Sequence, residues 1–309
     1  MAASNGLAAL PYPESLLDDL QSGDEAVRLS AVQAIKPYRE SESLNILLKM
    51  VEEDPNPLIR LQAVGALWYR GDSRASKILE KTLVLDKDRE VRLASAGALG
   101  DVGIKSTSSI FLANTIQSTK DMMLLARCIR SLGRLQDHSS TTTVMEFLAH
   151  KYPDEVRGTA AEALGLMADE KASAKLISTL EGDPDDTVRS LAARALGRIG
   201  SQSGEDALVR TLLFDDSDIV RYRSAEALAN LRLTTAIYQA FIDGLKDPDK
   251  RVRFECMKAL SNHLKKNDAG AVAELLADDR RGIRELAHQA LSRRGIVMER
   301  IGDRYRLVE

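Results

Sequence analysis

The chain is poor in the residues that build most catalytic and metal centres. It has two cysteines, four histidines and one tryptophan in 309 residues, and aromatics make up 4%. Two cysteines exclude a disulfide-dense scaffold. The histidines, His138, His150, His263 and His288, form no HE or HxxxH pair, so the spacing that places two metal ligands on one helix face is missing. There is no Walker loop and no GxSxG. On these grounds no catalytic residue, metal ligand or cofactor is assigned. No apolar run approaches the roughly 18 residues of a membrane span, and the opening MAASNGLAALPYP lacks the charged and apolar regions of a secretory signal. A cytoplasmic protein without a membrane partner is therefore expected. Charge of one sign is missing too: 43 Lys+Arg stand against 46 Asp+Glu. That balance argues against the whole molecule being a nucleic-acid binder, although local patches remain open.

What the chain has is repetition. The segment VRSLAARALGRIG, Val188 to Gly200, recurs with its arginine position at Arg28, Arg60, Arg92, Leu125, Arg157, Arg189, Arg221, Arg253 and Arg284, in steps of 31 to 33 residues. Nine copies predict stacked units that share one elongated core. Within a copy, Val188, Ala192, Ala195, Leu196 and Ile199 fall on one side of a helix at about 100° per residue. A more variable helix precedes each of these. Such first helices are expected at 43–51, 75–85, 108–116, 143–150, 172–180, 205–213, 235–245 and 269–277, with a short one at 14–20. Asp24, Asp88, Asp121, Asp185 and Asp249 lie four residues before the arginine position, where a carboxylate caps the second helix. Gly103 and Gly200 mark helix ends. Cys128 and Cys256 share the slot filled elsewhere by Ala31, Ala63, Ser95, Ala160, Ala192, Ser224 and Ala287, and read as small buried residues.

A unit of the form D-x-x-x-V-R-x-x-A-A-x-A-L-G-x-I-G resembles the short HEAT repeat, in particular the type named after phycobilisome lyases, over about residues 14 to 294. The resemblance implies an all-α, right-handed α-solenoid of about nine two-helix repeats. It also implies that the recurring arginine is structural, in a ladder of inter-repeat ion pairs with the recurring capping aspartate, and that the second helices line a concave face. Copy four departs from the pattern: Leu125 replaces the arginine within Met122-Met123-Leu124-Leu125, and one residue is inserted. A bend or altered packing is expected there.

Positions one and five after the arginine lie about 145–180° from the apolar stripe. The fifth-place row alternates in sign from Arg130 through Glu162, Arg194 and Glu226 to Lys258, as a self-neutralising solvated ladder or an anion groove would. The first-place row opens with Leu29, Leu61 and Leu93 and later carries Tyr222 and Phe254. With Tyr69, Met122 and Met123 it predicts an apolar strip facing away from the helices' own cores. A helix or extended segment of a protein partner would fit that strip. The function expected is a non-enzymatic protein-binding scaffold or adaptor. The alternatives are a phycobilin lyase-type or chaperone-like role on a pigment protein, implied by the resemblance alone, and nucleic-acid binding through Arg127, Arg130, Arg134, Arg194 and Arg198. Residues 1–13 are expected as a flexible N-terminus. The tail, residues 295–309, has two β-prone runs about Gly302-Asp303, predicting a hairpin that caps the array or pairs with another chain.

Overall fold

The computed structural model describes residues 14–38, 40–301 and 304–308; the expected flexible N-terminus and the Gly302-Asp303 turn lie outside the described residues. The described chain consists of α1 (Glu14–Leu20), α2 (Glu25–Ala34), α3 (Ser41–Glu53), α4 (Pro57–Arg70), α5 (Ser76–Leu85), α6 (Arg89–Val102), α7 (Lys105–Ser118), α8 (Met122–Leu135), α9 (Thr141–Met145), α10 (Asp154–Met167), α11 (Ser173–Gly182), α12 (Asp186–Ile199), α13 (Glu205–Phe214), α14 (Asp218–Leu228), α15 (Thr235–Gly244), α16 (Lys250–Leu260), α17 (Ala269–Glu274) and α18 (Arg281–Arg293), then β1 (Val297–Ile301) and β2 (Arg304–Val308). Among the described residues these make nine helix pairs, one per sequence copy, and an antiparallel hairpin in which Val297 pairs with Val308. The first helix of copy five is shorter than the pattern predicts: α9 gives way to a 3-10 turn at Glu146–Leu148.

Local chemistry explains the boundaries. Asp24, Asp88, Asp121, Asp185 and Asp249 each accept backbone N–H groups in the first turn of the helix they precede, which satisfies donors that the helix leaves unpaired. Gly71 and Gly200 close α4 and α12 in the left-handed region, where glycine has no side chain to strain. The chain divides into two compact units between Thr143 and Val144, within α9. In the first unit α2, α4, α6 and α8 pack in succession; in the second α10, α12, α14, α16 and α18 do. Each unit is a helical solenoid stack with its core between the two layers of helices, and the second ends in the hairpin. Cys128 and Cys256 are fully buried and unpaired, and burial pushes both thiols up from their ordinary range. The hairpin packs on α17 through β2.

The second helices approach so closely because glycine stands eight residues after the arginine. A methyl group on Gly165 would lie 2.8 Å from the Ala195 Cα, and one on Gly197 would lie 2.7 Å from the Ala227 Cα. Both distances are closer than real carbon contacts allow, and the neighbour is backbone.

The recurring arginine builds the ladder, with a correction to its partner. The capping aspartate four residues before it is not the acid it binds. Six of the eight arginines reach forward to an aspartate at the end of the first helix of the next repeat. Arg60 donates from Nε and Nη2 to the Asp86 carboxylate, both at 2.8 Å. Arg28 pairs likewise with Asp54, Arg157 with Asp183, Arg189 with Asp215 and Arg221 with Asp247, whereas Arg253 divides its fork, donating from Nε to Asp278 and from Nη2 to Asp279. The same guanidinium reaches back through Nη1, so that Arg60 donates to the Asp54 and Pro55 carbonyls at 2.9 and 3.3 Å. Every such joint therefore ties three chain segments, and a fork of five fixed donors suits it better than an ammonium would. The ladder is interrupted within the first unit. Arg92 keeps its backward bonds to the Asp86 and Lys87 carbonyls, but Thr119 stands where the acid belongs and Leu125 is buried in place of the next arginine.

Burial alone would raise the Asp183 carboxyl. The Arg157 hydrogen bonds, the Asp185 N–H and the charges of Arg157 and His150 outweigh it and hold the group below the ordinary carboxylate range. A carboxylate lowered in the folded state stabilises the fold above its unfolded value and loses that contribution as pH falls through the folded one.

Two outcomes follow. In thermal melts Gly197→Ala should cost about 1–3 kcal/mol through overpacking, whereas Gly182→Ala, with nothing within 4 Å of the added methyl, should be neutral or stabilising by under about 1 kcal/mol. Equal effects would refute the close-approach account. Removing the side chain in Asp183→Ala strands a buried guanidinium and should cost about 3–5 kcal/mol at neutral pH. In denaturant titrations the variant's stability should then fall less steeply than the wild type's below about pH 3.8; identical slopes would contradict the pairing.

Candidate functional site

The side of a second helix facing away from both helix layers is set by the arginine's position. Residues two before it and two, five and nine after it lie about 140–200° around the helix from the arginine. In the first unit this face reads Leu58, Glu90 and Met123; Gln62, Ala94 and Arg127; Gly65, Gly97 and Arg130; Tyr69, Asp101 and Arg134. Three of its apolar side chains stand in solvent: Tyr69 is 65% exposed, Met123 52% and Leu58 46%. Between them the floor is low. A methyl on Gly65 would meet nothing within 4 Å, whereas one on Gly97 would meet Arg127 at 3.4 Å and the Trp68 ring at 3.9 Å. Trp68 and Arg127 thus lie across the Gly97 floor.

Polar contacts hold the edge of this face in shape. Trp68 Nε1 and Arg134 Nη1 both donate to Asp101 Oδ2, at 2.6 and 2.8 Å. One carboxylate on α6 therefore orients an indole from α4 and a guanidinium from α8. The result is a surface with apolar ends, a centre where Arg127 and Trp68 cover Gly97, and a fixed polar rim.

The structure places the expected site residues unevenly. Tyr69, Met122 and Met123 are exposed. Leu29 and Leu61 are half-buried and Leu93 is only 3% exposed, which corrects the expectation that this row faces away from packed surface. The reason lies between helices: the first place after the arginine looks at the next second helix. A methyl on Gly158, the same place in copy five, would lie 3.0 Å from Leu191 Cδ1. Tyr222 and Phe254 are half-buried beneath cations, with Arg223 and Arg251 at 5.1 and 5.8 Å from the tyrosine ring centre and Arg280 at 4.4 Å from the phenylalanine's. Arg194 donates to Glu162 at 2.7 Å, whereas Glu226 takes Arg223 and Glu255 takes Lys258, each within one helix. Charge is self-neutralised at these pairs. Arg127, Arg130 and Arg134 belong to the first unit, and Arg194 and Arg198 to the second. Leu58 and Trp68 were not singled out from sequence. The signal for Leu58 was its place two before the arginine, where Met123 also sits.

With this geometry in hand, the relationships of the chain are clear. The HEAT repeats family matches residues 13–100, 83–165, 111–197, 173–239 and 212–292. The chain belongs to the HEAT-repeat proteins. No curated protein matches it. Among solved structures it is similar to Escherichia coli YibA, at 22% identity over 88% of this chain and 98% of that one, TM-score 0.56. It is also similar to Kap95p in complex with RanGDP, at 11% identity over 89% of this chain and 43% of that one, TM-score 0.58. The phycocyanin lyase complex of CpcE and CpcF from Nostoc sp. matches at 20% identity over 85% and 98%, TM-score 0.47. At such identities the likeness is one of fold. Among the described residues no helix is long and apolar enough to cross a membrane.

Proposed function

We propose that the chain is a non-enzymatic protein-binding scaffold whose first unit presents the exposed face of α4, α6 and α8 to a helix or extended segment of a protein partner. One observation carries this reading: Leu58, Tyr69 and Met123 are exposed on the face that the repeats do not use for their own packing, beside Gly65, where an added methyl would meet nothing within 4 Å. Apolar side chains gathered on a polar-rimmed surface are the usual anchors of protein interfaces. Met123 adds a side chain that adapts to the shape of its partner. The use of a HEAT array to hold another protein has a fold-level parallel in Kap95p with RanGDP.

The test is the triple variant Leu58→Glu, Tyr69→Glu, Met123→Glu, compared with wild type by thermal melt and by quantitative affinity capture. Each change should cost at most about 0.5 kcal/mol of stability, as at ordinary surface sites. Capture of the proteins retained by wild type should weaken by about 2 kcal/mol or more. Undiminished capture by a folded triple variant would overturn the assignment of this face.

A further inference from the structure

Two rungs of the ladder in the first unit are complete, Arg28 with Asp54 and Arg60 with Asp86. The third is built on both sides and lacks only its charge. On one side, Arg92 is held as Arg60 is: its Nη1 donates to the Asp86 and Lys87 carbonyls at 2.8 and 3.0 Å. Among the described residues no acid is paired with its remaining Nε and Nη2 donors, which in the six complete rungs bind carboxylate oxygens. On the other side, Thr119 closes α7 with φ −78 and ψ 142, much as Asp86 closes α5 with φ −64 and ψ 136. Its N–H donates to the Thr115 carbonyl at 2.9 Å, as that of Asp86 does to Thr82 at 3.1 Å. Its hydroxyl accepts the Asp121 N–H at 3.1 Å, as the Asp86 carboxylate accepts the Asp88 N–H at 2.8 Å. Thr119 therefore occupies the position, backbone conformation and turn-stabilising role of a ladder aspartate.

A guanidinium held in this way selects two oxygens of a carboxylate or a phosphate. Threonine cannot supply them, but a phosphate ester on its hydroxyl does. The flanking residues accommodate such a charge. Asp121 is already paired with Arg89, at 2.6 and 3.0 Å. A ladder anion two residues before a capping aspartate is also the normal arrangement here, as in Asp86 with Asp88, Asp183 with Asp185 and Asp247 with Asp249. Ser118 and Lys120 are exposed and Thr119 is half-buried, so the turn lies at the surface.

We propose that Thr119 is a phosphorylation site, and that its phosphate completes the rung to Arg92 and ties repeat four to repeat three. A protein kinase would supply the group from ATP. The bond from Thr119 Oγ1 to the γ-phosphorus forms as the bond to the β-phosphate oxygen breaks, the hydroxyl proton passes to the kinase's base, and ADP leaves. The modification acts by adding an oxyanion opposite a waiting arginine, which orders a joint that is otherwise open.

The test uses the full chain with phosphothreonine installed at position 119 during synthesis, read by hydrogen exchange over residues 105–135 and by thermal melt. Phosphorylation should slow exchange there on the order of tenfold, the scale of a hydrogen bond between charged groups, and raise the melting midpoint; in an Arg92→Gln background both gains should vanish. Unchanged or faster exchange on phosphorylation, or a gain that survives Arg92→Gln, overturns the rung. Phosphopeptide mapping of the chain isolated from its own cells should find phosphate on Thr119; phosphate confined to Ser118, or none, overturns the assignment of the modified residue.

Discussion

The bidentate pair between an arginine and the aspartate of the next repeat is the interaction on which this architecture turns. HEAT-type repeats bury apolar surface by stacking, and apolar contacts are non-directional, so they tolerate small slides between neighbours. A guanidinium that binds two carbonyls behind it and two carboxylate oxygens ahead of it is directional. Where it forms, it fixes one repeat against the next in a way that apolar contact alone does not. The pairs sit at the margin of the core, with side-chain exposures from 0% at Asp183 to 16% at Arg189 and Arg253. That position limits both solvent screening and the desolvation penalty that weighs against fully buried ions.

Glycine completes the constraint from the other side. Gly165 and Gly197 let one second helix rest on the backbone of the next, so the ladder and the helix contacts demand the same spacing. The ladder fails inside the first unit, at Arg92, Thr119 and Leu125, and the chain divides into its two compact units further on, between Thr143 and Val144. The exposed face of α4, α6 and α8 belongs to the unit that contains that incomplete rung. Its candidate binding surface and its candidate modified joint therefore share one helix, α6.

Much of this was legible in the residues alone. The period of the arginine located nine helix pairs, and the capping aspartates located the starts of the second helices, because both signals are local. The ladder's true acid was harder to see. Asp54, Asp86, Asp183, Asp215, Asp247 and Asp278 recur as regularly as the capping row, but periodicity cannot say which of two aspartate rows meets an arginine one repeat away. The leucine row failed for a related reason. Helical phase places Leu29, Leu61 and Leu93 relative to their own helix, whereas their burial is decided by neighbouring second helices on either side. Leu58, two places before the arginine, looked unremarkable in sequence and became part of the site only once those neighbours were in place.

The central claim is that each rung couples adjacent repeats energetically. The most direct measurement is a double-mutant cycle on Arg189 and Asp215, each replaced singly and together by Met and Leu, with stability read by denaturant titration. The account predicts that the two single losses overlap, with a coupling energy of about 1–3 kcal/mol. Additive losses, within about 0.5 kcal/mol, would contradict it.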